Sequence, residues 1–566
     1  MSIGIRIGIF IAALVSFVFL FMPALTLASP GFVFTVGLAA LIAAALPLRS
    51  DYAKDRYSSG YVLQASYTQR LWVVGGSFAA VMLLGTLGSW SFFRADAYFG
   101  LLGQEKQGTF EASLPPIDIQ KAPLVSNSMA MRAAEKKLSE VPALGSQVSI
   151  GTLTKQLVRG DLYWVAFLEH RGFFKWFSRG STPGYVMVSA NDPSDVQLVT
   201  ELDGKPMNLK FLDSAYFGNN QVRHLYLSGF ANKMLTAFSP EIDETGRPYT
   251  VATIFERKVL WRGAEAVGTV VLDVQTGEFK SYSVEDTPAW VDRIQPETFV
   301  RTQLEDRLYL IHGWFNPSDK DRLGVSGDLD LVYGTDGRSY YFAGHTSVAR
   351  EGGLVSFSLI DTRTKEATRF TMSGVTERVA KAAAEGVNPE KKYEATNALP
   401  FLVDGVPAYV MALRDSTGIA RSYAMVAIED FQKVAVAETL TATARQFQAK
   451  LTMDKTRLDT ATSSELAKVT ARVIRKGSEV RGGNTSYLLV LKGHHGKLFA
   501  AGPDLAETLA VTNEGDEVEV KFGNSTARVV GLVSFRNLTL EPKALAEDKN
   551  EPKQDVLVRA HEVKAP

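Results

Sequence analysis

The fold follows from one stretch of the chain, Gly160-Asp161-Leu162-Tyr163-Trp164-Val165-Ala166, which has the pattern of a strand that starts directly after a turn. The pattern returns in Gly246-Arg247-Pro248-Tyr249-Thr250-Val251-Ala252 and Gly337-Arg338-Ser339-Tyr340-Tyr341-Phe342-Ala343, and a looser copy is Gly405-Val406-Pro407-Ala408-Tyr409-Val410-Met411-Ala412. The leading glycines are 86, 91 and 68 residues apart. Recurrence at such intervals indicates a duplicated structural unit.

Each copy of this strand is predicted to follow a helix and to precede two further strands. The helices are predicted at about 127–140, at 222–230, after Pro296 and at 375–385. Tight turns between the strands make them antiparallel, and a helix would cover one face of each sheet. The spacing suits small α+β domains better than a tight solenoid.

The second copy carries the clearest family resemblance. It ends in the hairpin Leu272-Asp273-Val274-Gln275-Thr276-Gly277-Glu278-Phe279, and a helix followed by strands and such a hairpin resembles the PepSY-type domain, whose last hairpin often reads Asp-x-x-Thr-Gly-Glu. The third copy has Asp361-Thr362-Arg363-Thr364-Lys365-Glu366, which lacks the glycine, and the first and fourth keep only the pattern. The resemblance implies extracytoplasmic protein binding, protease inhibition or chaperoning, and it supplies no catalytic residue.

The region after the N-terminal helices also resembles a family of membrane-anchored bacterial or phage-encoded proteins of undefined biochemistry, some of which are labelled cell-shape-determining. Composition agrees with a globular chain, since 46% of its 566 residues are hydrophobic and 22% are charged. The 61 basic and 61 acidic residues give no net field that would favour nucleic acid as a partner. The chain has no cysteine, which excludes disulfides, thiolate metal sites and a thiol nucleophile.

Three apolar segments, 7–28, 31–48 and 71–93, are each about long enough to cross a bilayer as a helix. A signal peptide is the alternative for the first, and the second segment following almost at once argues against it. No charged residue lies inside these segments, so an ion path or a transporter is not expected. Small residues four apart, such as Gly75 with Ala79, favour packing among these helices, with self-association into a homo-oligomer as the alternative.

The charged loop 49–70 predicts the orientation in the membrane. It carries Arg49, Lys54, Arg56 and Arg70 against two aspartates, and basic residues in short loops favour the cytoplasm. The expectation is a multi-pass protein of the bacterial cytoplasmic (inner) membrane, with a cytoplasmic N-terminus. Everything after about Phe93 would then be extracytoplasmic.

The C-terminal part differs from the repeats. Residues 465–541 contain five predicted short strands separated by turns, which indicates a small closed barrel, OB-like in character. Such folds can bind oligonucleotides, but a dense basic and aromatic groove is missing, so a structural or protein-contact role is favoured. The tail 542–566 is rich in Lys, Glu, Asp and Pro and is predicted to be disordered.

The predicted organisation is therefore α+β, with three N-terminal transmembrane helices, four helix-plus-antiparallel-sheet (PepSY-like) repeats and a small β-barrel. In order, these are a transmembrane anchor (1–93), a connector (94–125), repeats 1 to 4 (126–212, 213–288, 289–372 and 373–455), the barrel (465–541) and the tail (542–566).

Motifs that carry chemistry are not found in the sequence. None of the seven histidines has zinc-site spacing, and the nucleophile elbow, the phosphate-binding glycine loop and the EF-hand spacing do not occur. The recurring Tyr163, Tyr249 and Tyr340 are interpreted as shared packing positions. The expectation is a protein without catalytic residues, metal or cofactor, and therefore not an enzyme.

One segment between two predicted strands is the candidate contact site. Arg171-Gly172-Phe173-Phe174-Lys175-Trp176-Phe177-Ser178-Arg179 places four aromatic side chains, Phe173, Phe174, Trp176 and Phe177, between cations. This composition suits a membrane surface or a protein partner, and the alternative is a loop folded onto a neighbouring repeat. A second aromatic group, 290–296 with 312–315, is interpreted as packing between repeats 2 and 3.

The leading functional hypothesis is a non-enzymatic, membrane-anchored scaffold or protein-binding protein of the bacterial envelope, with an envelope protein, a protease or a larger complex as its partner. One alternative is a regulator or inhibitor of an envelope protease, which would present an exposed edge strand or loop. The other is an envelope hydrolase with a non-contiguous active site. That hypothesis requires a cleft with converging carboxylates whose pKa values are perturbed.

Overall fold

The computed structural model is a mixed α+β protein in which apolar helices precede a series of antiparallel sheets. It divides into two units, Met1–Phe447 and Gln448–Pro566. The structure describes residues 3–45, 52–54, 61–63, 65–108, 122–334, 337–348, 350–403, 405–462, 466–481, 484–502, 505–523 and 529–540. The predicted tail and much of the predicted connector and charged loop lie outside the described residues.

The helices are α1 (Ile3–Phe21), α2 (Pro30–Ala45), α3 (Ala65–Gly88), α4 (Ser91–Phe99), α5 (Asn127–Ser139), α6 (Pro142–Gly145), α7 (Phe173–Arg179), α8 (Gln221–Leu225), α9 (Glu297–Tyr309), α10 (Glu377–Glu385), α11 (Leu440–Thr462) and α12 (Thr508–Val511). A π-helical turn, Tyr226–Phe230, continues α8.

The N-terminal helices are strongly apolar. Within α3, Tyr67–Gly88 is long and apolar enough to cross a membrane, whereas the apolar segments Ile7–Phe21 and Pro30–Ala45 are shorter. Helices α2 and α3 pack through Phe34 and Phe78, whose ring centroids are 5.7 Å apart. Two short strands, β1 (Tyr52–Lys54) and β2 (Tyr61–Leu63), pair between these helices.

Four sheets follow, here named A to D. Sheet A contains β4 (Val148–Ile150), β5 (Thr154–Val158), β6 (Asp161–His170), β7 (Tyr185–Ser189) and β8 (Val196–Val199). Sheet B contains β11 (Met234–Ile242), β12 (Pro248–Val259), β13 (Arg262–Asp273) and β14 (Phe279–Ser283). Sheet C contains β15 (Leu323–Tyr333), β16 (Ser339–Ser347), β17 (Arg350–Asp361), β18 (Ala367–Val375) and, parallel to β18, β3 (Glu105–Gln107). Sheet D contains β19 (Glu394–Ala395), β20 (Leu399–Val403), β21 (Val406–Arg414), β22 (Ala420–Ala427) and β23 (Val434–Ala437). A ribbon of β9 (Glu201–Leu202) and β10 (Lys205–Pro206) stands apart from them.

The glycine that leads each copy of the recurring stretch adopts positive φ. The angles at Gly160, Gly246, Gly337 and Gly405 are 89°, 91°, 74° and 77°, a region that side chains avoid. The strands that follow are β6, β12, β16 and β21, one in each sheet, as the sequence predicts. The same backbone geometry thus precedes one strand in each of the four sheets.

The sequence predicts a helix and three strands in each unit, but the structure has at least one strand more in each sheet. A further strand pairs with each glycine-led strand from the N-terminal side, namely β5, β11, β15 and β20. In β11 the register shifts between Thr236 and Ser239, and in β15 it shifts between Ser326 and Asp330. These bulges interrupt the period-2 alternation by which a strand is recognised in sequence.

Helices cover the sheets in layers. Met129, Ala130 and Ala134 of α5 share a buried core with Ala166 and Val186 of sheet A. Val300, Leu304 and Leu308 of α9 do the same with Tyr341 and Ile360 of sheet C. On the opposite face of sheet C, one core joins α10 to sheets C and D, and its members include Phe342, Phe357, Phe370, Ala380, Ala384, Met411 and Val426.

Sheet A contacts sheets B and C directly, and its helix α5 contacts sheet D. The Gln156 side-chain amide donates to Ile242 O of sheet B at 2.7 Å and accepts from the Ile242 N–H at 2.9 Å. The Tyr333 hydroxyl of sheet C donates to Lys155 O at 3.5 Å. Arg414 of sheet D donates to the Ser128 hydroxyl of α5, the helix on sheet A, at 3.1 Å. Because sheets A and C are in contact although sheet B lies between them in sequence, the sheets do not form a linear stack in chain order.

The second unit is built on a closed barrel of five strands in the order β24–β25–β26–β28–β27. Its strands are β24 (Leu466–Arg481), β25 (Asn484–Leu491), β26 (Leu498–Ala501), β27 (Glu517–Gly523) and β28 (Val529–Asn537). Strands β26 and β28 pair in parallel, the other pairs are antiparallel, and α12 lies between β26 and β27 in sequence. Its core is apolar and includes Leu489, Leu491, Phe499, Val518 and Val520.

Candidate functional site

The aromatic segment between β6 and β7 folds as the short helix α7. Gly172 before it and Gly180 after it have φ of 86° and 70°, so glycine permits both the entry and the exit. Phe174 is 83% exposed and Phe177 is 74% exposed, while Trp176 is half-buried. The sequence predicts a loop here, and the structure gives a helix that brings the four predicted residues together.

The inward side of α7 packs on a second aromatic pair. The ring centroids of Phe173 and Tyr216 are 5.1 Å apart, and those of Trp176 and Phe217 are 5.8 Å apart. We call Phe173, Phe174, Trp176, Phe177, Tyr216 and Phe217 the α7 patch. Trp176 thus has the packing role of the alternative interpretation, whereas Phe174 and Phe177 face outward. Large exposed apolar surfaces of this kind mark contact sites for membranes or proteins.

The α7 patch is linked to the N-terminal helices through Arg223. Arg223 Nη1 donates to Phe217 O at 3.3 Å, and the Arg223 guanidinium carbon lies 4.6 Å from the centroid of the Phe19 ring of α1. The Tyr226 hydroxyl donates to Pro23 O at 2.9 Å. The patch therefore lies next to the C-terminal end of α1.

The hairpin between β12 and β13 contacts the same end of the helices. Trp261 Nε1 donates to Leu27 O in the α1–α2 turn at 3.2 Å, and the Trp261 N–H donates to Ser89 Oγ after α3 at 3.1 Å. The indole ring lies so close to Gly85 that no side chain would fit there. The α1–α2 turn and the end of α3 consequently lie on the same side of the apolar helices.

The outward residues of the α7 patch can be tested with single labels, because the native chain has no cysteine. We expect a fluorophore on Phe177→Cys, in vesicles that contain quencher-bearing lipids, to be quenched strongly. Ile419→Cys, also exposed but in the turn between β21 and β22, is the control and should be quenched little. The double variant Phe174→Ser, Phe177→Ser should change the free energy of unfolding by less than about 1 kcal/mol, because both side chains are exposed. Equal quenching at both labels, or unfolding of the double variant, would contradict a lipid-facing surface.

The two segments of the second aromatic group, 290–296 and 312–315, contact different parts of the protein. Trp290 stacks on Tyr249, with ring centroids 5.2 Å apart, and joins sheet B to the segment that leads into sheet C, as interpreted from the sequence. Trp314 instead contacts Phe92 of α4, with centroids 4.7 Å apart. Phe315 beside it is exposed. The interpretation is correct for 290–296 and wrong for 312–315.

Charged side chains converge where sheets A, B and C meet. Asp292 Oδ2 accepts from the Leu157 N–H at 2.7 Å, and Ser239 Oγ donates to Glu241 Oε1 at 3.0 Å. Burial, together with the nearby Asp292 carboxylate, raises the pKa of Glu241 to about 8, and Arg293 opposes this shift. Burial likewise raises the pKa of Asp292 to about 6.

This cluster meets the carboxylate criterion of the hydrolase hypothesis, but at Glu241 it is buried and does not face a cleft. Its carboxylates converge and have raised pKa values, but Glu241 is only 1% exposed and Asp292 is engaged with the backbone of a neighbouring sheet. Two pockets, of about 330 and 210 Å³, are lined by α1, and neither contains a residue of the cluster. The arrangement is typical of a polar contact that fixes the sheets relative to each other.

Some residues of the candidate site leave no recognisable signal in the sequence. Arg223 and Phe217 belong to segments with no motif, and only the fold brings them to α7 and α1. Asp292 and Arg293 carried a weak signal, since they are adjacent charges among buried apolar neighbours such as Val291 and Ile294. Among the described residues, three or more His, Asp or Glu do not gather in a way that could hold a metal ion. No protein-family model matches this chain, and no curated protein matches it either.

Proposed function

We propose that the chain is a non-enzymatic, membrane-anchored scaffold or protein-binding protein of the bacterial envelope. In this proposal α1, α2 and α3 cross the cytoplasmic membrane, with the N-terminus in the cytoplasm and the sheets outside it. One observation carries this topology: Trp261 donates hydrogen bonds both to the α1–α2 turn and to Ser89 at the end of α3. A chain that leaves the bilayer on the side of the α1–α2 turn has crossed it an odd number of times, so its folded part lies opposite the N-terminus.

We further propose that sheets A to D are four copies of one PepSY-like unit. The positive φ of the four leading glycines supports this. A shared ion pair supports it for sheets B and C, since the arginine after the leading glycine binds the aspartate that opens the last hairpin. These pairs are Arg247 with Asp273 and Arg338 with Asp361.

The barrel is proposed to be OB-like. Its support is the strand order 1-2-3-5-4, the parallel pairing of the third and fifth strands, and the helix between the third and fourth. With no net charge on the chain, a protein-contact role fits the barrel better than nucleic-acid binding.

Regulation of an envelope protease is the second candidate function. The observation that favours it is the position of β14 at the edge of sheet B, where Phe279, Lys280 and Ser281 are exposed. An exposed edge strand can add to a groove in another protein through main-chain hydrogen bonds. Crosslinking from β14 in the native membrane would capture a protease under this hypothesis and a non-proteolytic envelope protein under the leading one.

The anchoring is tested by reporter fusions. A fusion after Gly60 should place its reporter in the cytoplasm, and a fusion after Gly151 should place it outside. The two compartments differ because the chain crosses the membrane once, through α3, between these positions. Activity in the same compartment for both fusions would refute the topology. A fusion after Ser29 is the internal control and should agree with the fusion after Gly151.

A further inference from the structure

A groove of about 330 Å³ lies between α1 and the helix α8 with its π-helical turn, Tyr226–Phe230. Leu14, Val15 and Val18 line it on the α1 side, and Arg223, Tyr226 and Leu227 line it on the other. Its size is at the lower end of the range for ligand sites, about 300–1,000 Å³. Its lining is apolar except at Arg223 and the Tyr226 hydroxyl.

Arg223 has more donors than its protein contacts use. A guanidinium carries five N–H donors and needs acceptors for them when it is buried. Nη1 donates to Phe217 O at 3.3 Å, while Nε is buried and has no hydrogen-bond partner in the part of the chain that the structure describes. Guanidinium groups match the geometry of phosphate oxygens, with which they form strong charge-assisted hydrogen bonds.

The groove runs along the helix axis from the end of α1 toward its middle. A helix rises about 1.5 Å per residue, so Leu14 lies roughly 12 Å along the axis from Met22. The cation is at the end where α1 meets the folded region, and the apolar lining extends away from it. In a bilayer this places a positive charge at headgroup level and an apolar channel at the level of the acyl chains.

We propose that this groove binds one glycerophospholipid of the outer leaflet. Its phosphodiester accepts hydrogen bonds from Arg223, and one acyl chain lies against Leu14, Val15 and Val18. The proposal rests on the membrane anchoring proposed above. A lipid in this position joins α1 to α8 and the π-helical turn, and it thereby fixes the tilt of the folded region on the bilayer.

The test uses the full chain purified in detergent and native mass spectrometry of the intact protein. Wild type should retain one phospholipid per chain. Arg223→Gln should lower the retained fraction about tenfold or more, because a charge-assisted hydrogen bond is lost. Val15→Trp should lower it comparably by filling the groove, and Leu227→Trp is the second groove-filling variant if the first fails to fold.

Matched controls separate the groove from general effects of charge and bulk. Arg179→Gln removes a cation from α7, and Leu84→Trp adds bulk to an exposed position of α3 that lines neither pocket. Both should retain lipid as wild type does. Inorganic phosphate at millimolar concentration should not displace the lipid, and displacement would show a free-anion site instead. Wild-type retention in both Arg223→Gln and Val15→Trp would overturn the proposal.

Alkaline carbonate extraction of the same cells distinguishes the two proposals. Release of wild type from the membrane would refute the anchoring, and the lipid site with it. Variants that stay in the membrane but differ from wild type in retained lipid support both proposals. Variants that stay in the membrane and retain lipid fully refute the lipid site alone.

Discussion

Replacing Asp273 with alanine should lower the free energy of opening of sheet B by about 1–3 kcal/mol, the cost of leaving buried hydrogen-bond donors without their acceptor. Asp273 Oδ1 accepts from the backbone N–H groups of Gln275 at 2.8 Å and Thr276 at 3.0 Å. Its Oδ2 accepts from Arg247 Nε at 2.7 Å, and only 8% of its side chain is exposed. Alanine would leave the two backbone donors without their acceptor, whereas Arg247, 37% of whose side chain is exposed, can donate to water instead.

Hydrogen exchange followed by mass spectrometry measures this effect locally, which suits a long chain with two units. Amides of β12 and β13 should exchange about ten times faster or more in Asp273→Ala than in wild type. Asp273→Asn keeps an acceptor for the two N–H groups but loses the charge. Its exchange rates should lie between those of wild type and Asp273→Ala. Asp192→Ala is the control, since Asp192 accepts from the Ser194 N–H at 2.9 Å in an exposed turn. Exchange in Asp273→Ala at the wild-type rate would refute the role of the pair.

The Asp273 hairpin also shows what the sequence can and cannot predict. Its turn is local, so residues 272–279 are sufficient to recognise it, and the positive-φ glycines and alternating strands are equally local. The partner of Asp273 is Arg247, 26 residues earlier, and only the register of β12 against β13 brings them together. The extra strands β11 and β15 were missed because bulges break their alternation.

The candidate site, too, has a part that the sequence predicts and a part that it does not. Phe173, Phe174, Trp176 and Phe177 were identified from composition, because four aromatics between cations are unusual within one segment. Their environment depends on long-range contacts, such as that of Tyr226 with Pro23, which are 203 residues apart. Such contacts leave no periodic trace in a sequence. The helical state of α7 was missed too, because its preceding glycine gives no capping signal.

Replacing Glu241 with glutamine should stabilise the protein, and the gain should grow as pH rises. Burial, with Asp292 nearby, raises the pKa of Glu241 to about 8, against 4.5 for the ordinary carboxyl group. Between these values the folded state holds a proton that the unfolded state has released. The unfolded state therefore binds fewer protons, and the free energy of unfolding falls by up to about 1.4 kcal/mol per pH unit from pH 5 to 8.

Other buried groups titrate in or near this range, so the test compares variants. The pKa of Asp292, raised by burial to about 6, acts in the same direction at lower pH. The pKa of His345, lowered by burial to about 3, acts in the opposite direction between about pH 3 and 6.5, because the unfolded imidazole takes up a proton that the folded one refuses. The contribution of His345 largely cancels in the difference between wild type and Glu241→Gln. Asp292 interacts with Glu241, so the difference reports Glu241 together with its interaction with Asp292.

The difference in the free energy of unfolding between Glu241→Gln and wild type should become about 3–4 kcal/mol more favourable to the variant from pH 5 to pH 8. Thermal midpoints of the full chain in detergent, measured across this range, would show the two curves diverging. Glu244→Gln, in the exposed turn before Gly246, changes a side chain that stays in water and should follow wild type. Parallel curves for Glu241→Gln would mean that Glu241 is ionised in the folded protein and bound to Arg293. The junction of sheets A, B and C would then be a buried ion pair, and its removal by glutamine would destabilise the fold throughout the range from pH 5 to pH 8.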